Sequence, residues 1–474
     1  MKHKISPRTM AIGHSLFADF LALCSTAEAG PVPASAERGP QVTHRKLNRK
    51  TARSTLVILS IATLYIGMAS PQTLSQTSTA ARAKYRIAAL PTLGGTQGRS
   101  NSVNEIGWVT GWANLTGDLY QHATLWRPGQ ITDLGTLGGN NSTIEWPVLN
   151  THGIIVGGSE TTQLDPNGEN FCLISTGTTN YCLGFLWQNG SMVALPTLGG
   201  PNSYAVGVNN RDLVIGWSET AAADPSCAAP QVYNIHGFTY QNGVLADLPP
   251  LPGDQLSGPL ALNDSGEIVG TSGICANPNT VGFPLTRHAV MWKPNGSVID
   301  LGNLGGSKPD PNNFQSGFAA TNINDLGQVV GFSVVAGDTT VHAFLWDQGV
   351  MTDIPPVAGD ALSVAWGIGE RGEVLGQSCD VNFNCRGFIW KNGILTDINA
   401  LLPAHSNLYV IDANFLNQEG EITGQAVDLT SGAMPAVLIS PVDNDLEEAG
   451  DGLHRDLPQH VRDAIKAKAR QLAR

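Results

Sequence analysis

Short apolar runs separated by Gly, Asn and Asp turns make up most of this sequence. Residues 322–355 show the pattern well. A polar N-D-L-G turn leads into V-V-G, then into H-A-F-L-W, and a D-Q-G turn leads into a last run ending in D-I-P. β-Branched and aromatic runs of this length, bounded by Asn, Asp and Gly, are typical of strands joined in hairpins. The A-F-L-W run is apolar throughout, so its strand is expected to be covered on both faces.

The same pattern recurs along the chain with a period near fifty residues. An aromatic residue ends the third run of most units, and successive copies lie 61, 53, 52, 54 and 44 residues apart. These markers are Trp126, Trp187, Tyr240, Trp292, Trp346 and Trp390. Four strand-like runs per unit at this period predict the blades of a propeller. We therefore expect an all-β fold, namely a seven-bladed β-propeller of four-stranded antiparallel blades.

The two ends of the repeat region are offset by one strand. Residues 85–90 match only the closing strand of a unit, whereas the last unit ends at residues 435–439 without such a strand. The N-terminal strand is thus expected to complete the last blade and to close the ring without a long open edge. A linear solenoid would instead need distinct capping repeats. These limits place the propeller at residues 84–442.

An Asn-x-x-Gly turn joins the first two apolar runs of most units. Glycine in the left-handed region suits such a hairpin. The turns at Arg211-Asp212 and Gly369-Glu370 depart from the pattern, so they are expected to differ locally. The turns at Asn263-Asp264 and Asn324-Asp325 lack the spaced carboxylates of a calcium loop, which favours turn stability over metal binding.

Three recurring motifs, H-A-F-L-W, D-L-G-T-L-G-G and I-N-D-L-G-Q-V-V-G, resemble the HAF repeat of predicted extracellular bacterial proteins. The resemblance covers roughly residues 85–440 and is made specific by its recurrence. It implies secretion and a propeller-like fold. It implies no established activity, and so it assigns no catalytic residue.

Residues 1–83 form an N-terminal extension outside the repeats. They carry ten Lys or Arg against three Asp or Glu, and an apolar run of thirteen residues at 56–68 is followed by small residues. This is the layout of a secretory signal, and the run is too short to span a bilayer as a relaxed helix. A buried helix of the folded domain is the alternative. We expect a secreted protein, extracellular or periplasmic, with no stable membrane span after signal removal.

The charge of the remaining chain limits its partners. The whole sequence has a net charge of −12 and the extension contributes +7, which leaves −19 on residues 84–474. A body this acidic repels phosphate backbones, so a nucleic-acid partner is excluded. We expect a monomer that binds an unknown protein or glycan and uses no cofactor.

Six cysteines lie in the repeat region, and Cys24 lies in the extension. An even number after an export signal favours disulfides, with free buried thiols as the alternative. Cys172 with Cys182 and Cys379 with Cys385 are near enough in sequence to close small loops, and Cys227 with Cys275 would make a longer bridge. None has the C-x-x-C spacing of a zinc site.

His and Asp recur at fixed positions of the repeat. The histidines are His122, His236, His288 and His342, and the aspartates are Asp133, Asp247, Asp300, Asp353 and Asp397. A metal or catalytic set is one interpretation. We favour a structural hydrogen bond repeated in each blade, because equivalent positions are spread around a ring. The anchors Trp126, Trp187, Trp292, Trp346 and Trp390 are likewise expected to be structural, and no metal site is predicted.

The longest insertions lie between the second and third runs of their units, where all six cysteines of the repeat region also lie. These loops emerge on one face, and function usually sits on long loops carried by a rigid scaffold. We expect a binding module whose ligand contacts this face through Trp146, Glu160, Asp165 and Trp217. One alternative is a carbohydrate-active propeller enzyme using Glu145, Glu160 or Asp165. Another is a structural cell-surface protein without a small ligand.

Residues 443–474 form a separate tail. A flexible acidic linker precedes a stretch in which Leu457, Val461, Ile465 and Leu472 lie near one face of a short helix. Docking on a partner is one interpretation of this face. A frayed helix on the surface is the interpretation we favour.

Overall fold

The computed structural model describes residues 83–174, 178–227, 229–275, 285–307, 317–442, 449 and 455–472. The predicted leader, with its apolar run at 56–68, and Cys24 lie outside these residues, as does most of the predicted acidic linker. The described strands form seven four-stranded antiparallel sheets, which are the blades of a propeller. The predicted fold class is confirmed.

Strand β1 (Tyr85–Ala89) precedes blade 1 in the chain. The first four blades are built from consecutive strands: β2 (Gly94–Val103), β3 (Val109–Leu115), β4 (Gln121–Arg127) and β5 (Gln130–Asp133) in blade 1; β6 (Ser142–Thr143), β7 (Ile155–Leu164), β8 (Asn180–Gln188) and β9 (Ser191–Ala194) in blade 2; β10 (Gly199–Val208), β11 (Val214–Ala223), β12 (Tyr233–Gln241) and β13 (Val244–Leu248) in blade 3; β14 (Leu256–Leu262), β15 (Ile268–Ile274), β16 (Leu285–Trp292) and β17 (Val298–Asp300) in blade 4.

The remaining blades continue this order: β18 (Phe318–Ile323), β19 (Val329–Val334), β20 (Val341–Asp347) and β21 (Val350–Ile354) in blade 5; β22 (Leu362–Ile368), β23 (Val374–Cys379), β24 (Cys385–Lys391) and β25 (Ile394–Asp397) in blade 6; β26 (Leu408–Leu416), β27 (Ile422–Asp428) and β28 (Ala436–Pro441) in blade 7. The fourth strand of blade 7 is β1, whose residues pair with β28 from Tyr85↔Pro441 to Ala89↔Val437. A 3-10 turn (Ile398–Leu401) follows β25, and helix α1 (Gln459–Leu472) ends the described chain. Among the described helices, neither is both long enough and apolar enough to cross a membrane.

The antiparallel order gives each propeller face its own kind of connection. The loops between second and third strands lie at the same end as the links between blades, and we call this end the loop face. The turns between first and second strands lie at the other end with the hairpins between third and fourth strands, and we call it the turn face. In one such hairpin Asn189 and Gly190 both have positive φ, as a two-residue type I′ turn requires.

One glycine of the second strand explains the V-x-G motif. The seven equivalent residues are Gly111, Gly157, Gly216, Gly270, Gly331, Gly376 and Gly424. A Cβ at any of them would overlap a backbone carbonyl oxygen of the first strand in the same blade. In most blades the first strand also carries a bulge at this level, for example between Ala205 and Gly207. The glycine therefore lets the two inner strands approach closely where the ring is narrowest.

The Asn-x-x-Gly turns are linked from blade to blade. In each linked pair, the amide nitrogen of the turn's first Asn donates to the first carbonyl of the next turn, at 3.0 to 3.2 Å. The donors are Asn150, Asn209, Asn263, Asn324 and Asn417. Two links are not made: Gly369 has no side chain, and the amide nitrogen of Asn104 is buried without a hydrogen-bond partner in the described structure. We call this set the asparagine ring.

The turns at Arg211-Asp212 and Gly369-Glu370 were expected to differ from the others, but their backbone hydrogen bonds are the same. Asp212 donates its N–H to Asn209 O at 3.1 Å, and Gly372 donates to Gly369 O at 3.0 Å, as Gly107 does to Asn104 O. Asp212 takes the left-handed conformation with φ of 59° in place of glycine. Asp is among the few non-glycine residues that tolerate this region, so the turn survives the substitution.

Candidate functional site

The disulfides all lie on the loop face, and they join the cysteines in the predicted pairs. Cys172–Cys182 closes a loop in blade 2, and Cys379–Cys385 closes a short loop in blade 6. Cys227–Cys275 ties the loop of blade 3 to that of blade 4, with Cα atoms 4.6 Å apart. The disulfides reduce the conformational freedom of the loops that they close or join. The loop face is therefore elaborated and held in shape.

Exposed apolar side chains stand on the loops of four contiguous blades of the loop face. They are Val381 in blade 6, Leu429 in blade 7, Leu119 and Tyr120 in blade 1, and Leu164 in blade 2. These residues were not among the sequence candidates, because each stands singly in or beside a polar loop, away from the repeat motifs. An apolar residue at the tip of a loop, next to Asp or Asn, is the signal that would have found them.

The predicted ligand residues Trp146 and Trp217 are brought together, but inside the protein. Their rings meet edge to face with centroids 5.0 Å apart, and Tyr204 lies 5.6 Å from both. Trp146 is only 9% exposed, and Trp217 is partly buried. Tyr204 packs where Gly158 of the neighbouring blade has no side chain. The cluster fills the seam between blades 2 and 3, and a ligand role for either tryptophan stays a prediction.

The predicted carboxylates Glu160 and Asp165 are also buried. Glu160 Oε2 accepts a hydrogen bond from Asn141 at 2.9 Å. Asp165 Oδ2 accepts one from Asn202 at 2.9 Å. Asn141 lies in the link before β6, and Asn202 lies in β10 of blade 3. Glu160 therefore ties β7 to the start of its own blade, and Asp165 ties the loop of blade 2 to blade 3. Their role in ligand binding stays a prediction.

Two further acids, Glu169 and Glu219, were missed by sequence reasoning. Glu169 lies in the stapled loop of blade 2 and hydrogen-bonds with Glu219 of β11. Burial raises the pKa of Glu169 to about 9, and the nearby carboxylates of Glu219 and Asp165 add to the rise. Burial also raises the pKa of Glu219 to about 7, against hydrogen bonds from Asn202. The pair therefore holds a proton between two blades at neutral pH.

A second polar group lies where the inner strands of blades 7, 1 and 2 meet. Arg99 Nη2 lies 3.0 Å from Asp412 Oδ2 and donates to Asn414 Oδ1 at 2.8 Å. Arg99 Nη1 lies 3.7 Å from Glu145 Oε2. All three charged side chains are buried. One guanidinium between two carboxylates joins three blades, so Glu145 is part of the scaffold here.

The repeated His and Asp residues pair within each blade near the edge of the loop face. The His Nδ1 atoms lie 2.8 to 3.0 Å from an Asp oxygen in the pairs His122–Asp133, His236–Asp247, His288–Asp300 and His342–Asp353. Burial alone would raise the pKa of Asp133, but hydrogen bonds from His122 and Gly135 lower it. In the part of the chain that is described, no three His, Cys, Asp or Glu side chains are grouped to hold a metal ion.

Blade 6 has Arg386 at the histidine position. Its Nη1 donates to Asp397 Oδ2 at 3.3 Å and its Nη2 donates to Asp360 Oδ1 at 3.2 Å. Burial raises the pKa of Asp397 despite the hydrogen bonds that it accepts. Arg386 thus contacts two buried carboxylates, whereas His122, His236 and His342 each contact one partly exposed Asp; His288 pairs with Asp300 and also lies 3.9 Å from the buried Asp254.

Helix α1 lies on the loop face over blades 6 and 7. Leu457, Val461 and Ile465 are buried in one apolar cluster with Tyr409 and Met434. The expectation of a frayed surface helix therefore differs from the structure. The reason is that the loops of blades 6 and 7 leave apolar surface between them, which a sequence pattern does not reveal.

No family model and no curated protein sequence matches this chain. Solved propellers are similar to parts of it. The β-propeller domain of the Trilobed protease from Pyrococcus furiosus has 10% identity and a TM-score of 0.38, over 63% of this chain and 81% of that one. A gluconolactonase from Xanthomonas campestris has 11% identity and a TM-score of 0.32, over 77% and 97%. Trypanosoma rangeli sialidase has 10% identity and a TM-score of 0.33, over 66% and 56%. Similarity at this level carries no argument about function.

Proposed function

We propose that this protein is a secreted binding module whose loop face contacts a protein or glycan ligand. The observation that carries the proposal is that all three disulfides lie on this one face. A staple lowers the entropy that a loop loses on binding, so a stapled loop is a preorganised contact surface. Disulfides also accord with an extracellular or periplasmic location.

The exposed apolar residues of the loop face support the same proposal. Val381 is 77% exposed on the loop that Cys379–Cys385 closes, and Leu164 is 68% exposed at the end of β7, where the loop carrying Cys172 begins. Large apolar side chains held out on ordered loops suit the centre of an interface, where they are covered by a partner. Membership of the HAF-repeat family is part of this proposal, and it accords with secretion.

A carbohydrate-active enzyme gains no support from the acids suggested for it. Glu145, Glu160 and Asp165 are buried and bonded within the scaffold. Glu169 and Glu219 are buried, and their carboxyl groups are in direct contact through a shared hydrogen bond. Glycoside hydrolysis needs carboxylates separated by about 5 Å or more. The geometry therefore favours the binding module.

The test compares matched surface variants of the intact protein on a glycan array and in a crosslinking pull-down. One variant changes Leu119, Leu164 and Val381 of the loop face to Ser. Its control changes three similarly exposed residues of the turn face, Ile106, Leu326 and Val350, to Ser. We expect the first variant to lose at least tenfold in binding and the control to bind like the wild type. Equal binding by the two variants would remove the loop face as the contact surface.

Export is tested separately by mass mapping of the cysteines under non-reducing conditions. Protein recovered from the culture medium or periplasm is expected to carry the pairs Cys172–Cys182, Cys227–Cys275 and Cys379–Cys385. Six free thiols in the protein from its native host would contradict the proposed location.

A further inference from the structure

Helix α1 has the composition of a basic amphipathic helix. Its fourteen residues include Arg462, Lys466, Lys468 and Arg470 against the single acid Asp463. Val461 and Ile465 are four residues apart and therefore lie on one face. Helix α1 is therefore a cationic element of a chain whose residues 84–474 carry a net charge of −19.

The groove that receives the helix is formed by the second-to-third-strand loops of blades 6 and 7. The backbone N–H of Leu457 donates to Asn384 Oδ1 at 2.9 Å, within the loop closed by Cys379–Cys385. On the other side, His460 Nε2 lies 3.0 Å from Gly432 O of blade 7. Lys466 lies over the ring of Phe383 at 5.1 Å, which is a cation–π contact. The groove therefore has an apolar floor, and the ring of Phe383 in its blade 6 wall accepts a lysine of the helix.

The resident helix leaves part of this groove unused. A polar cavity of about 430 Å³ remains beside it, lined by Asn382, Asn384, Asp456, Gln459, Arg462 and Lys466. Val381 stays 77% exposed on one loop, and Leu429 stays 37% exposed on the other. Two large apolar side chains at the rim of an occupied groove are contacts that a better-fitting helix would gain.

We propose that this groove binds a basic amphipathic helix of a partner protein, and that α1 is the internal competitor that occupies it until displaced. The inference rests on the proposed binding function of the loop face and names its partner class. The chemistry of the partner is that of the helix already seated there: apolar residues at i and i+4, flanked by Lys or Arg. A partner helix that also covers Val381 and Leu429 buries more apolar surface than α1 does, which gives it the advantage needed to replace α1.

Tethering sets the scale of the competition. A segment tethered to its own binding site competes there with an effective concentration on the order of 1 mM. A free helix must therefore bind well enough to compete at that concentration. In the wild type a peptide with the sequence of α1 should bind weakly, since it gains no contact that α1 lacks.

The test uses the intact protein and a fluorescein-labelled peptide of residues 455–472 as the probe. Val461→Asp in the protein puts a charge into the apolar floor contact and should release the helix. Asp463→Asn changes the charge by one unit at an exposed position of the same helix, outside the cavity lining, and is the matched control. We expect the peptide to bind the Val461→Asp protein at least 30-fold more tightly than the wild type or the Asp463→Asn protein. A peptide that itself carries Val461→Asp should bind none of them.

Hydrogen exchange shows whether the helix has been released. Residues 455–466 should lose protection in the Val461→Asp protein, while the strands of blades 6 and 7 keep theirs. If the helix is released in the Val461→Asp protein but the peptide does not bind, the inference is overturned. A dimer of the Val461→Asp protein or the wild type in light scattering would also overturn it, because the occupant would then be a second copy. Peptide binding that survives in a loop-face variant that no longer binds its glycan or protein ligand would separate the groove from the wider binding surface.

Discussion

Arg386 offers the sharpest test of how the blades are held together. Its side chain is 4% exposed and lies between Asp360, which is fully buried, and Asp397, which is 8% exposed. Substitution of Arg386 by Ala would leave both carboxylates buried without their cation. The equivalent change in blade 5, His342→Ala, would release only Asp353, whose side chain is 49% exposed.

The two changes should differ several-fold in cost. Removing one partner of a buried charge pair costs about 3–5 kcal/mol. Losing a largely solvated pair costs about 0.2–1 kcal/mol. At about 2.1 cal/mol/K per residue, a body of roughly 390 residues has an unfolding entropy near 0.8 kcal/mol/K, so 1 kcal/mol shifts Tm by about 1 °C. We expect Arg386→Ala to lower Tm by about 4–6 °C and His342→Ala by about 1 °C or less.

Thermal unfolding followed by scanning calorimetry at neutral pH, without reductant, measures both shifts. A rescue variant separates lost charge balance from lost packing. Asp360→Asn with Asp397→Asn, added to Arg386→Ala, removes both stranded charges and should recover at least half of the loss. Equal shifts for Arg386→Ala and His342→Ala would refute the reasoning, as would a rescue variant less stable than Arg386→Ala alone.

Three further predictions concern other parts of the scaffold. Asn209→Ala removes a link of the asparagine ring and the acceptor for the N–H groups of Arg211 and Leu213. It should lower the free energy of unfolding by about 2–3 kcal/mol and speed hydrogen exchange at those two amides. Unchanged exchange would contradict the assigned role. Gly331→Ala should destabilise the fold by more than about 3 kcal/mol or prevent folding, because the new Cβ would overlap Ala319 O. In Gly349→Ala the new Cβ meets nothing within 4 Å, so only the positive φ should cost stability, by about 1 kcal/mol. Soluble expression and the Tm of both variants check this. The raised pKa values of Glu169 and Glu219, about 9 and about 7 against an ordinary 4.5, mean that the folded protein holds protons that the unfolded chain releases. Their contribution to stability is complete below about pH 4.5 and is lost as pH rises through 7 and 9, so a Glu169→Gln/Glu219→Gln variant should lose less Tm between pH 5 and pH 9 than the wild type; equal losses would sink this assignment.

The number of blades could be predicted, because it follows from counting the repeats. The side-chain pairs of the candidate site could not be predicted, because they depend on contacts between blades. Trp126 and its equivalents recur at a regular spacing, which a single sequence displays. The pairing of Glu169 with Glu219 joins residues 50 positions apart, one in a loop of blade 2 and the other in β11 of blade 3, and no pattern along the sequence marks them as neighbours. A pattern also cannot distinguish an acid at a loop tip from one beneath it, which is why Glu160 and Asp165 were expected at the surface.

The C-terminal tail also shows that a sequence pattern does not reveal contacts between distant segments. Val461 and Ile465 correctly indicated an apolar helix face, but the surface that covers it comes from loops near residues 383 and 432. Likewise, Asp212 stood out as a departure from Asn-x-x-Gly although its backbone is the same as in the other turns. Local chemistry decides that conformation, whereas long-range packing decides whether a helix is covered.

The two gaps in the asparagine ring divide the propeller into unequal arcs. Links run unbroken from Asn150 in blade 2 to Gly369 in blade 6, and separately from Asn417 in blade 7 to Asn104 in blade 1. The short arc contains β1 and β28, the strands nearest the two chain ends. Tension applied through those two strands would act first on the β1–β28 pairing within this arc, and only afterwards on the five-blade arc. Mechanically, blades 2 to 6 form one continuously linked segment, and blades 7 and 1 close the ring.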